Sequence, residues 1–207
     1  MFRAIFWDND GVLMETEHLY YRANAEALAG MGIELTQEMF SDISLRRGES
    51  VLALAGEGEA ELRPIRDALY RQLLTEDAHV IPGVEETLGR LHGLLPMAIV
   101  TSCRRENFLH MHRRSGLLPF FDFILTREDY TASKPDPEPY LTACIRAGFA
   151  PSACVAVEDS ERGVIAASSA GLAVAAIPGL LDCNGNFSSA CWRLESVTQL
   201  PGLLGLR

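Results

Sequence analysis

Lysine is almost absent from this chain. Of its 18 basic residues, 17 are arginine and one is lysine, Lys134. Basic blocks are absent as well, because adjacent arginines occur only as the pairs at 46–47, 104–105 and 113–114. With a net charge of −10, this excludes the electrostatic footprint of a nucleic-acid partner or an anionic membrane surface. Long hydrophobic runs are missing too. The first apolar run, Ala4–Trp7, is too short for a signal-peptide core, and nothing approaches the roughly eighteen apolar residues of a membrane span. Cysteine is present but unorganised. Residues 103, 144, 154, 183 and 191 form no C-x-x-C pair, which argues against a disulfide framework or a zinc site. A cytoplasmic protein is expected, working as a monomer or weak homodimer.

What remains is a chain of 207 residues, 48% hydrophobic, enough for one real core. Short apolar runs recur at Ala4–Trp7, Met97–Val100, Phe123–Leu125, Cys154–Val157 and Leu172–Ile177. Their length suits strands buried on both faces of a parallel sheet. Between the later runs lie segments of helix length: Ser102–Gly116, opened by Ser102 as N-cap, then Asp136–Gly148 and Ser160–Gly171. Alternating strands and helices predict an α/β, doubly wound sheet with right-handed crossovers. One interval breaks the rhythm. From Trp7 to Met97 there are 89 residues, where a crossover needs about a dozen. It carries helical patterns at Thr16–Met31, Thr36–Ile43, Glu49–Ala55 and Glu59–Thr75, and no convincing strand. The expected organisation is therefore a core of 1–14 and 81–207 with a helical insert at 15–80. From Asp182 onward the pattern is weak, with Trp192-Arg193-Leu194 as a last edge strand and Leu200–Leu206 as an apolar tail, docked on the core or offering a dimer contact.

Open α/β sheets bind ligands at the carboxyl ends of their strands. After Trp7 stands Asp8-Asn9-Asp10-Gly11. Residues two apart in extended chain project to one side, so Asp8 and Asp10 can face a common site. Two like charges so close repel unless a cation or a proton intervenes. After Val100 stands Thr101-Ser102, hydroxyls beside backbone N–H groups suited to an anion. After Val157 stands Glu158-Asp159-Ser160, and Lys134-Pro135 lies in a polar loop past Thr126. Taken singly, these are a solvated turn, an N-cap, an acidic first turn and a surface lysine. Their ordered combination is more specific.

In that order the chain resembles the haloacid dehalogenase superfamily, whose four motifs match Asp8/Asp10, Thr101, Lys134 and Glu158/Asp159. The strings F-W-D-N-D-G-V-L, K-P-D-P-E-P-Y and V-E-D-S-E-R-G-V are similar to the branch holding β-phosphoglucomutase and sugar-phosphate phosphatases. The resemblance spans nearly the whole chain and implies a Rossmann-like core with a helical cap. It implies Asp8 as the nucleophile that takes up the phosphoryl group and Asp10 as the general acid and base. Magnesium would lie between Asp8, the Asp10 carbonyl and Asp159, with Glu158 contributing directly or through water. Thr101 would hold phosphoryl oxygens and Lys134 would supply positive charge. Ser102, Arg47 and Arg104 would bind a small phosphorylated metabolite.

The same resemblance excludes relatives. Dehalogenases lack the second aspartate, which Asp10 supplies here. Phosphonate-cleaving relatives need a cap lysine, and the insert has none. The family's transport ATPases need membrane helices. The mutases carry a histidine where this chain has Tyr20, which favours a phosphatase over a phosphosugar mutase. His18 is two residues early, about 200° around a helix. A non-catalytic binding or scaffold protein would be expected to lack a motif residue, and none is missing.

Overall fold

The computed structural model describes residues 2–179, 181–182 and 185–206. Among them are eight strands: β1 Ala4–Trp7, β2 Met14–Glu15, β3 His79–Val80, β4 Met97–Val100, β5 Phe123–Leu125, β6 Cys154–Glu158, β7 Ala173–Ala176 and β8 Trp192–Arg193. Six form a parallel sheet in the order β5-β4-β1-β6-β7-β8. The α-helices are α1 Glu17–Ala29, α2 Gln37–Phe40, α3 Glu59–Asp77, α4 Val84–Leu91, α5 Arg105–His112, α6 Glu138–Ala147, α7 Glu161–Ser169 and α8 Leu200–Leu203.

The continuous apolar runs have a direct cause: both sheet faces are covered. Ile5 and Trp7 of β1 pack on one side with Leu88 of α4, Phe108 of α5 and Leu200. Ala4 and Phe6 pack on the other with Tyr140 of α6 and Val164 of α7. β4 and β5 lie on one side of β1, and β6, β7 and β8 on the other. The winding therefore reverses beside β1, where a doubly wound sheet opens a crevice at its carboxyl edge.

The segment between β1 and β4 is mainly helical and has an apolar cluster of its own, including Leu28, Phe40, Leu52 and Leu62. Its root is a two-stranded antiparallel ribbon, Met14 opposite Val80 and Glu15 opposite His79. The expectation of no strand in this interval is thus corrected. Two-residue strands are too short to leave a periodic pattern, and their pairing joins positions far apart in the chain. The segment expected as helix at Thr36–Ile43 is α2 followed by a π-helical turn, Ser41–Arg46, and Val51–Gly58 is 3₁₀.

Ser102 is also corrected as an N-cap. α5 begins at Arg105, because Thr101 Oγ1 accepts the Cys103 N–H at 3.0 Å and holds the intervening turn. At the C-terminal end, β8 pairs with β7 as the outermost strand, and Leu200, Leu203, Leu204 and Leu206 pack on the first core. Cys183 lies outside the described residues.

Candidate active site

β1 delivers Asp8 to the crevice. Its N–H donates to Val157 O at 2.9 Å, continuing the ladder one residue past the strand. The chain then turns back sharply, with Asn9 O accepting from Leu13 and Met14 N–H at 2.9 and 3.0 Å. Gly11 is required twice over. Its φ is +79°, and a Cβ there would strike the Asp159 carboxylate.

Lys134 lies at the centre, with its side chain 2% exposed. Its ammonium donates to Asp8 Oδ1 at 2.9 Å, Glu158 Oε1 at 2.6 Å and Val100 O at 2.9 Å, so all three protons are used. Burial alone would push this amine down. The Asp8 and Glu158 carboxylates outweigh burial and hold it above the ordinary lysine range. Glu158 Oε1 also accepts from Tyr140 Oη at 2.5 Å. Burial raises the Glu158 carboxyl to about 7 despite the attraction of Lys134. The room for it comes from Gly163, where a Cβ would collide with that carboxylate.

Asp10 is held differently. Thr16 Oγ1 donates to its Oδ1 at 2.5 Å, while Asn9 Nδ2 at 3.2 Å and Thr101 Oγ1 at 3.4 Å approach Oδ2. Burial raises its proton affinity, the Thr16 bond opposes this, and the Asp8 charge adds to the rise.

One oxygen each of Asp8, Glu158 and Asp159 lies within 4.8 Å of the others. Glu158 Oε2 and Asp159 Oδ2 are buried and have no hydrogen-bond partner. Burial, then repulsion from Glu17, drives Asp159 well above the ordinary carboxylate range. Uncompensated buried oxygens at this spacing suit a hard divalent cation such as magnesium, which prefers oxygen donors.

The crevice opens into a cavity of about 610 Å³ between the sheet edge and the helical insert. Asp8, Asp10, Thr101, Ser102, Arg104, Lys134, Asp159 and Arg47 all line it. Glu158 does not; it lies behind Lys134. Ser102 Oγ is buried without a partner. Arg47 is half-exposed and pairs with Asp42 at 3.0 Å and Glu49 at 3.2 Å. Arg104 makes no ion pair among the described residues. Arg105 is turned aside onto Asp129 and does not reach the cavity.

The sequence model for haloacid dehalogenase-like hydrolases matches residues 5–177. The chain belongs to this family. The phosphorylated carbohydrates phosphatase of Thermotoga maritima is 31% identical, over 82% of this chain and 82% of its own. Hexitol phosphatase B of Escherichia coli is 29% identical over 98% and 96%. Among solved structures, CbbY of Rhodobacter sphaeroides, in complex with xylulose-(1,5)bisphosphate, superposes with a TM-score of 0.84. It shares 25% identity and covers 100% of this chain and 99% of that one.

Several residues at this hydrolase's site escape the sequence reading. Thr16 looks like an ordinary N-cap of α1, yet its hydroxyl makes no cap bond and goes to Asp10 instead. Glu17 looks like a favourable acidic first turn. It lines the cavity, and burial followed by the Asp10 charge raises it to about 8. Tyr140 stands in the string K-P-D-P-E-P-Y, but its bond to Glu158 is a tertiary fact. No described helix of this hydrolase is long and apolar enough to cross a membrane.

Proposed function

We propose that this haloacid dehalogenase-like hydrolase is a magnesium-dependent phosphatase acting on a small phosphate monoester, a sugar phosphate or similar metabolite, through an aspartyl-phosphate on Asp8. The observation that carries this is the buried Lys134 ammonium bound to Asp8 Oδ1, with Asp10, whose proton affinity burial raises, two residues away in the same cavity. A nucleophilic carboxylate must be aimed at phosphorus, and a fixed cation hydrogen-bonded to one of its oxygens holds it in place.

In the first step an Asp8 oxygen attacks phosphorus, the bond to the leaving oxygen breaks, and Asp10 passes its proton to the departing alkoxide. In the second, water attacks the same phosphorus and releases phosphate and Asp8, while Asp10 takes the water proton. One residue serves as acid and then base, which a raised proton affinity favours. The hydroxyls of Thr101 and Ser102 hold phosphoryl oxygens. Asp8, Glu158, Asp159 and the Asp10 carbonyl would hold magnesium, which neutralises phosphoryl charge when bound. Arg47 and Arg104 face the remainder of the substrate, and the insert shields the site from bulk water.

The substrate class rests on the relatives, named for phosphorylated carbohydrates and hexitols. Phosphatase is preferred to phosphosugar mutase because Tyr20 is a phenol that accepts from Arg66 Nη1 at 2.6 Å, where the mutases have an imidazole. Phosphate release should be measured from p-nitrophenyl phosphate and a panel of sugar phosphates, with and without magnesium. Asp8→Asn should abolish release from every substrate; equal rates in wild type and variant would end the covalent reading. Conversion of β-glucose 1-phosphate to glucose 6-phosphate faster than phosphate release, with the 1,6-bisphosphate as primer, would favour the mutase.

A further inference from the structure

Asn9 lies between Asp8 and Asp10, and its side chain is turned out of the cavity and into the core. It is wholly buried, so each atom of its amide needs a partner. Oδ1 lies 2.7 Å from Nε2 of His112, in the last turn of α5, 103 residues away. Nδ2 lies 3.2 Å from Asp10 Oδ2 and 2.8 Å from Met111 Sδ. His112 Nδ1 lies 2.9 Å from Ser115 Oγ, which accepts the Leu117 N–H at 3.1 Å. None of these groups faces the substrate cavity except Asp10.

The directions of these bonds follow. Burial pushes His112 down to about 4, so the ring is neutral and has one donor and one acceptor nitrogen. Asn9 Nδ2 faces the Asp10 carboxyl and the Met111 sulfur, which only accepts, so Oδ1 is the atom turned to His112 and Nε2 carries the hydrogen it receives. Nδ1 is then the acceptor and takes the Ser115 hydroxyl hydrogen, while a lone pair of Ser115 Oγ receives the Leu117 N–H. The Asn9 amide is thus locked with its oxygen toward His112 and its N–H₂ toward Asp10. A flipped amide would set oxygen against the Met111 sulfur and leave His112 Nε2 without an acceptor.

We propose that His112 is a positioning residue for Asp10, acting through Asn9: the chain Leu117–Ser115–His112–Asn9 fixes a donor on Asp10 Oδ2, opposite the Thr16 donor on Oδ1. This rests on the reading of Asp10 as the acid that protonates the leaving group. Displacing that acid by a fraction of an ångström slows proton transfer in particular.

The readout is leaving-group dependence. A sugar alkoxide needs the proton of Asp10, whereas nitrophenolate leaves without it, and kcat/KM reports only the steps up to the aspartyl-phosphate. His112→Leu should lower kcat/KM about tenfold or more for the best sugar phosphate of the panel, and less than about threefold for p-nitrophenyl phosphate. His112→Gln, whose amide nitrogen can replace Nε2 as donor, should recover most of the loss. Ser115→Ala should show the same selectivity in milder form, and serves if His112→Leu does not fold. Equal losses on both substrates, or no loss in a folded variant, overturn the proposal. Asp10→Asn is the control. Without selectivity there, the acid reading fails and takes the proposal with it; selectivity there with none in the His112 and Ser115 variants overturns the proposal alone.

Discussion

Lys134 and Arg47 both line the cavity, yet the lysine side chain is 2% exposed and the arginine 48%. At the sheet edge every proton of Lys134 is bound by a buried oxygen. On the insert, Arg47 pairs among the described residues only with Asp42 and Glu49, each more than half exposed. Surface pairs of this kind contribute about 0–1 kcal/mol. In the proposed reaction the buried cluster is preorganised for charge that develops on the phosphoryl group, where fixed dipoles and charges act most strongly. The exposed pairs suit a group that, in the same reaction, releases its own partners to take hold of a substrate. On the proposed function the contrast should divide rate from binding, and it can be broken by experiment.

The largest test is Lys134→Arg. The guanidinium is broad and planar, and it would have to fit between Asp8, Glu158 and Val100 O in a closed space. A loss of about 10²–10³ in kcat is expected, with the fold retained by circular dichroism. Near-normal kcat would show that the sheet edge is less exacting than its burial suggests.

Second is cation binding. Burial and mutual repulsion raise Asp10, Glu17 and Asp159, so each binds protons more tightly in the folded state than in the unfolded one. Without a cation their contribution is fully present below the unfolded carboxylate values. It is lost as pH rises, for Glu17 through about 8. Magnesium at about one hundred times its Kd should raise Tm by about 5–10 °C at pH 8. Asp159→Asn should remove most of that gain in a thermal melt.

Third is the buried ring of His112. Its folded value of about 4 lies below the ordinary 6.5. The unfolded chain therefore binds more protons between these values, and stability falls as pH drops through that window. A loss of about 2 kcal/mol between pH 7 and 5 is expected from this group. Urea titrations at the two pH values should show a smaller loss in His112→Gln. Smallest is Arg47→Ala, expected to raise KM for a sugar phosphate about threefold to tenfold while kcat holds. A fall in kcat instead would place the insert within the chemistry and erase the contrast.

The same contrast governs what was legible in the sequence. Asp8, Thr101 and Glu158 stand at the ends of apolar runs that are strands, and β1, β4 and β6 lie side by side in the sheet. A strand end is visible in a sequence because burial on both faces writes a continuous apolar run that stops abruptly. Arg47, on the insert, has no such frame. Residues of the insert reach the cavity through helix packing, and helical patterns do not say which residue faces a distant partner. Ser102 looked like a cap because hydroxyls before helices usually are, and one bond from Cys103 to Thr101 moved the helix start. Thr16 and Glu17 were hidden by the reverse circumstance, since cap and acidic first turn were sufficient local explanations.

By itself, then, the chain determined its layered α/β core, the order of its strand-end carboxylates, and the solitude of Lys134. All of these are written by local burial patterns and residue chemistry. Only tertiary structure decided that Tyr140 and Lys134 meet on Glu158, that Thr16 serves Asp10 rather than its own helix, and that His112 holds Asn9 across 103 residues. The physical reason is common to all three. A buried polar atom must find a partner, and which partner it finds depends on what packing brings within about 3 Å, not on what stands beside it in the chain.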